Sequence, residues 1–178
     1  MVKKVAILVE DSVDDREFLY PYYRIQEAGF QPVILGPRAG KKYTGKYGTA
    51  IESDAAPGDI SPDDVAGVII PGGWAPDRLR TSEEILGFLR EANSAGKIIA
   101  AICHAGSLLI SAGIVRGVKM TSYRSIKDDL VAAGAEWVDE PVVRWKNFVT
   151  SRFPDDLPIF GRTIVEALEG KSSEERQH

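Results

Sequence analysis

The stretch "KIIAAICHAGSLL", residues 97–109, decides the fold. Residues 97–102 form a continuous apolar run after a single lysine, the pattern of a strand buried on both faces of a sheet. A helix begins near Ala105. Between the two sits Cys103, the only cysteine in a chain of 178 residues, and His104 follows it directly. The second histidine, His178, lies in the tail. The carboxyl end of a strand, just before a helix, is where open α/β sheets place their sites.

Two further runs read the same way outward from this one, "KVAILV" (4–9) and "VAGVII" (65–70). Amphipathic segments over 15–28, 82–95 and 125–133 each close on a glycine, at Gly29, Gly96 and Gly134. Strand, helix and strand in repetition with short turns is the βαβ pattern, whose right-handed crossovers lay helices on both faces of the sheet. The fold class is therefore α/β, a flavodoxin-like three-layer sandwich around a mostly parallel sheet. Pro21 falls inside the first helical segment and predicts a kink over 17–21. The glycines and prolines of 36–64 predict a hairpin excursion with connecting loops. Residues 137–151 read as short paired strands turning near Lys146 and Asn147, and 157–168 as a final amphipathic helix. One domain is expected over 1–170, with a frayed tail over 171–178.

Composition narrows the partners. The formal net charge is −4, with 44% hydrophobic and 27% charged residues. That is an ordinary globular balance with no positive field to collect phosphate backbones, so nucleic acid is not expected as a partner. No apolar run approaches the roughly 20 residues of a membrane span, so no membrane association is expected. The opening "MVKKVAILVED" runs straight into acidic residues, which suits a first strand rather than a signal peptide. A lone cysteine makes no internal disulfide, and cytoplasmic residence is expected. No glycine pattern of the dinucleotide or P-loop kind follows any strand, so a nucleotide cofactor is not expected; no metal is expected either.

Ala101 and Ala105, two before and two after the cysteine, are small, as the flanks of a nucleophile elbow must be. In such an elbow the unpaired N–H groups at a helix start favour the thiolate. The alternative is that Cys103 simply fills a gap between sheet and helix, as buried free cysteines do; position alone leaves both open. A second turn, "PGGWAPDR" (71–78), leaves the same edge of the sheet. Gly72 and Gly73 there let the backbone approach closely and aim N–H groups, with that of His104, at a ligand oxygen. The acidic cluster "EDSVDDRE" (10–17) follows the first strand, which brings one of its carboxylates within reach of the thiol. As charges at a helix start the cluster also needs no further role.

Taken together, "EDSVDDREFLYPYYRIQEAGF", "VIIPGGWAPDRLR", "AAICHAGSLLISAGIVRGVKMTSYRSIKDDLVAAGAEWVD" and "NFVTSRFPDDL" resemble, in order and over almost the whole chain, the DJ-1/PfpI family. The likeness is to its PfpI-like intracellular protease branch, with a class I glutamine amidotransferase-like fold. The resemblance implies a nucleophilic Cys103, an adjacent His104 and an oxyanion hole from the backbones of Gly73 and His104. It also implies an acidic residue brought to the histidine from a neighbouring subunit, at Asp77, and another brought to the cysteine from the loop after the first strand, at Asp14. Both are aspartates where the family carries glutamate, one methylene shorter. Trp74 and Tyr123 are expected at the pocket, and Phe153 stands where PfpI-like chains often carry histidine.

The resemblance implies a cysteine-dependent hydrolase or lyase acting through Cys103 on carbonyl substrates, whether peptide, methylglyoxal or glycated adducts, without cofactor. The rival is a noncatalytic redox-sensing or stress-response protein in which Cys103 is oxidised. A homo-oligomer, dimer or hexamer, is also implied, with the 71–80 turn near a subunit contact.

Overall fold

A computed structural model describes residues 1–172. Six strands form the central sheet in the order β2-β1-β5-β6-β10-β9. The chain begins with β1 (Lys4–Leu8), α1 (Asp15–Glu27) and β2 (Gln31–Leu35). A hairpin of β3 (Lys42–Thr44) and β4 (Ala50–Glu52) stands outside the sheet, followed by β5 (Val65–Ile70), α2 (Ala75–Leu79), α3 (Glu83–Ser94) and β6 (Ile98–Ile102). Then come α4 (Gly106–Ala112), β7 (Lys119–Met120), α5 (Lys127–Ala132), β8 (Glu136–Trp137), β9 (Val142–Trp145), β10 (Phe148–Ser151) and α6 (Leu157–Leu168).

The continuous apolar runs are the central strands, because helices cover both of their faces. Val5, Ala6, Ile7, Val68, Ile70, Ile99 and Ala100 are all fully buried. Strand pairs β1–β2, β1–β5, β5–β6 and β6–β10 are parallel, and only β9 runs antiparallel, against β10. From β1 the chain steps outward to β2, then returns to the other side of β1 and proceeds through β5 to β6. Right-handed crossovers in opposite directions place their helices on opposite faces. Accordingly α1 packs with α6, and α3 with α4.

The segments expected from the sequence are present, with boundaries moved by local capping. Ser82 caps α3, its Oγ accepting the Ile85 N–H at 3.4 Å. Gly29, Gly96 and Gly134 take the positive φ that ends the preceding helices. The 137–151 pairing is the β9–β10 hairpin, turning through Lys146 at φ 50. Helix α1 continues from Asp15 through Pro21 to Glu27, where the sequence predicted a kink. The frayed tail expected over 171–178 lies largely in 173–178, outside the described residues. No described helix is long and apolar enough to cross a membrane.

The strand order reverses between β1 and β5, and three loops leave the carboxyl edge beside that point: after β1, after β5 and after β6. They are knitted together by main-chain bonds. Asp14 N–H donates to the Gly72 carbonyl (3.2 Å), and Trp74 N–H to the Ser12 carbonyl (2.9 Å). The β3–β4 hairpin joins the cluster through Ser12 N–H to Thr44 (2.8 Å) and Lys46 N–H to Val13 (2.8 Å). The side chain of Asp15 fastens that hairpin. Its carboxylate accepts the N–H groups of Tyr47 (2.7 Å) and Thr49 (2.9 Å), and a Cβ on Gly45 would strike it. Burial pushes the Asp15 pKa up, but the Thr49 side chain and these amides outweigh it and hold the group below the usual carboxylate range.

Candidate active site

Strand β6 ends in extended backbone at Ile102 and the chain reverses at Cys103, whose φ is 62°. A non-glycine residue in the left-handed region costs of order 1 kcal/mol or more and persists only where the surroundings enforce it. Here β5 and β10 flank β6, and Ala105, fully buried, packs the turn from below. A 3-10 turn over Cys103–Ala105 then leads into α4. This is the geometry of a nucleophile elbow, and it leaves the cysteine 9% exposed at the sheet edge.

The carboxyl that meets the thiol belongs to Glu17, in the first turn of α1. It is fully buried, and its Oε1 accepts the Gly72 N–H at 2.8 Å. Gly72 is what lets the two side chains approach, since a Cβ there would lie 2.5 Å from Glu17 Oε1 and 2.9 Å from Cys103 Cβ. The thiol and carboxyl lie side by side and influence each other's ionisation. Oε2 itself has no hydrogen-bond partner among the described residues. Burial, with the nearby charge of Asp14, pushes the Glu17 carboxyl up to about 8. Burial and the charge of Glu17 push the Cys103 thiol up as well. A helix start would favour the thiolate, but desolvation prevails, and the dry site holds at most one negative charge between the two groups.

Gly73 takes φ +75 because its Cα packs directly onto the β1–α1 loop, where a Cβ would lie 2.5 Å from Asp14 N. Its own N–H has no acceptor among the described residues, while the His104 N–H is turned toward the Cys103 sulfur. The His104 ring stacks on Trp74, with centroids 5.6 Å apart and planes 26° apart, and on Tyr123 at 5.0 Å and 39°. Burial, then the charge of Lys46 on the β3–β4 turn, holds the imidazole below its ordinary pKa and so neutral at pH 7. Tyr123 also lines a cavity of about 610 Å³ with Arg124, Lys127, Trp137, Arg152 and Phe153. Among the described residues no three histidine, cysteine or acidic side chains converge as metal ligands do.

The sequence profile of the DJ-1/PfpI family matches residues 3–167. The chain belongs to that family. It is 41% identical over 165 residues to a protein of Pyrococcus abyssi named a deglycase, covering 93% of this chain and 99% of that one. It is 40% identical over 168 residues to the putative cysteine protease YraA of Bacillus subtilis, covering 94% and 99%. A crystal structure of a two-domain protein of Anabaena variabilis, containing DJ-1/ThiJ/PfpI-like and ferritin-like domains, superposes with a TM-score of 0.93 at 38% identity. That match covers 99% of this chain and 52% of the two-domain one. Within the DJ-1/PfpI family the likeness is to the PfpI-like branch.

The site gathers Cys103, His104, Gly73, Trp74 and Tyr123 at one edge of this DJ-1/PfpI sheet, but it distributes the two aspartates differently from the expectation. Asp14 does not make the acidic contact to the thiol. Its carboxylate caps α1, accepting the N–H groups of Arg16 (3.0 Å) and Glu17 (3.3 Å), and is clasped by the Arg16 guanidinium at 2.8 Å. Asp77 is exposed on α2 and has no side-chain partner among the described residues. Glu17 is the residue that sequence reasoning passed over, although it belongs to the acidic cluster judged to lie within reach of the thiol. A buried-face position in the first helix was the available signal, because Glu17 falls with Phe18, Pro21 and Ile25 on the packed side of α1.

Proposed function

We propose that the protein is a cysteine-dependent hydrolase of aldehyde adducts, of the deglycase kind, with Cys103 as nucleophile and Glu17 as its proton partner. The observation that carries this reading is the left-handed Cys103 held against a buried Glu17 whose pKa lies near 8. A carboxyl tuned to that range accepts the thiol proton as sulfur attacks and returns it later, which an ordinary carboxylate does poorly.

With an amine–methylglyoxal adduct, the sulfur bonds to the carbinol carbon while the C–N bond breaks, and the thiol proton, relayed through Glu17, leaves on the amine. The hemithioacetal that remains isomerises by moving the proton of its carbinol carbon to the adjoining carbonyl carbon while its hydroxyl proton passes to the former carbonyl oxygen, giving a lactoyl thioester. Neutral His104, the residue after the nucleophile, carries the carbon-bound proton. Water then hydrolyses the thioester to lactate and the free thiol, so the sum consumes one water and no redox cofactor. The Gly73 N–H supports the developing alkoxide. The names of the deglycase and putative cysteine protease relatives support the same class.

The test is release of free N-acetylarginine and lactate from its methylglyoxal adduct, beside cleavage of a fluorogenic peptide, with wild type and Cys103→Ser. Turnover of the adduct that vanishes in Cys103→Ser is the expected result. Peptide cleavage alone would replace the adduct by a peptide bond, and activity surviving in the serine variant would remove Cys103 from the reaction.

A further inference from the structure

The cavity of about 610 Å³ shares one wall, Tyr123, with the candidate active site, and none of its lining belongs to the 71–80 turn. Tyr123 is tied to the elbow by its N–H, which donates to the Cys103 carbonyl at 3.0 Å, and its ring lies 5.0 Å from that of His104. The wall is braced from behind. Ser122, buried, donates its hydroxyl to the Tyr123 carbonyl at 2.8 Å and accepts the Trp137 indole N–H at 2.9 Å.

The charges on the lining differ in kind. Arg152 is satisfied within the fold: its guanidinium meets Asp156 at 2.9 and 3.0 Å and Asp139 at 2.9 Å, and lies 4.7 Å over the Phe153 ring. Arg124 and Lys127 have no carboxylate partner among the described residues, and the Lys127 ammonium rests 5.2 Å over the Trp137 ring, which leaves its charge uncancelled. Of the lining groups without a partner, two are thus cations and one, Asp128, is an anion.

We propose that this cavity is the subsite for the amine half of the substrate, and that Arg124 and Lys127 bind a carboxylate carried by that amine. Two separate donors of single charge suit a carboxylate. A phosphate dianion would call on the third cation as well, and Asp139 and Asp156 already hold Arg152. That the ligand is the leaving amine rests on the Cys103 reading; the binding of a carboxylate does not.

The test therefore needs no turnover. The Trp137 indole N–H signal, assigned by its loss in Trp137→Phe, is followed by NMR as N-acetylarginine or N-acetylagmatine, which lacks only the carboxylate, is added at constant ionic strength. One exposed ion pair favours a charged ligand by a factor of about 1.4 to 5, so with two cations N-acetylarginine should bind about fivefold tighter. The double variant Arg124→Gln, Lys127→Gln should erase the difference and Arg124→Lys should keep most of it, with thermal melts and sizing to show that each variant is folded and assembled as wild type. The wild-type KM values for the two methylglyoxal adducts should differ by the same factor. Equal binding of the two amines by wild type, or a preference that survives the double substitution, would overturn the subsite whatever the protein turns over. Displacement of N-acetylarginine by inorganic phosphate at lower concentration than by acetate would overturn the carboxylate assignment. A binding preference without adduct turnover would instead sustain the carboxylate site and remove the Cys103 reading.

Discussion

Asp14 accepts the backbone N–H of Glu17 at 3.3 Å, so the aspartate expected to touch the thiol instead secures the start of the helix that carries the residue which does touch it. The two carboxyls have opposite surroundings three residues apart. Asp14 is neutralised by Arg16 at the helix start, and Glu17 is sealed beneath Gly72.

Asp14→Asn keeps a competent cap, so stability should fall by no more than about 1 kcal/mol. Removing the negative charge takes away one of the influences that raise the Glu17 pKa, and that pKa should move down. Carboxyl titration by isotope-edited infrared spectroscopy reads this directly. A Glu17 pKa that stays in place would show that burial alone sets it.

Alkylation of Cys103 by iodoacetamide should rise with pH through an inflection at about 8, where the pair first loses a proton. In Glu17→Gln the acceptor is gone while the Gly72 N–H keeps an oxygen partner. The inflection should disappear, leaving a slow rate that climbs only as the thiol itself ionises, at higher pH. An unchanged profile would assign the inflection elsewhere.

Stability should carry the same signature with a definite sign. The Glu17 pKa is about 8 folded against 4.5 for the free group, so between those values the folded state holds a proton that the unfolded chain has released. Stability attributable to this group is therefore greatest below pH 4.5 and declines as pH rises to 8, by on the order of 5 kcal/mol in total. Glu17→Gln should flatten that decline, and urea titrations at pH 5.5 and 8.5 compare the two slopes.

Cys103→Gly removes the steric penalty the cysteine bears at φ 62 but gives up a buried side chain and backbone restraint, so stability should change by less than about 1 kcal/mol. Gly72→Ala has no such compensation. Its methyl group meets Glu17 Oε1 and the backbone carbonyl of Ile102 at 3.0 Å, so a loss above 2 kcal/mol, with separation of Glu17 from the thiol, is expected in chemical denaturation.

The sheet was legible because its strands are buried on both faces: "VAGVII" and "IIAAI" have no polar side chain to alternate, and that monotony marks the centre of a parallel sheet. Cys103 was legible because it sits where such a strand must stop. Pro21 does not end the first helix, since α1 runs through it to Glu27. The acid partner was hidden by a rule that usually serves well, that carboxylates at a helix start face solvent. Glu17 violates it because Gly72, more than fifty positions later, opens the space it fills, and a spatial complement of that kind has no local signature. The opposite roles of Asp14 and Glu17 followed only once α1 had a direction relative to β5.

Asp15 gives the molecule a replaceable part. The hairpin that carries Lys46 and Tyr47 to the rim is hooked to α1 chiefly through backbone amides and a bare Gly45, so its side chains are free to vary while its attachment persists. The segment between Gly45 and Thr49 is thus a natural cassette, one in which new rim chemistry can be grafted or diversified in a library without disturbing the elbow beneath it.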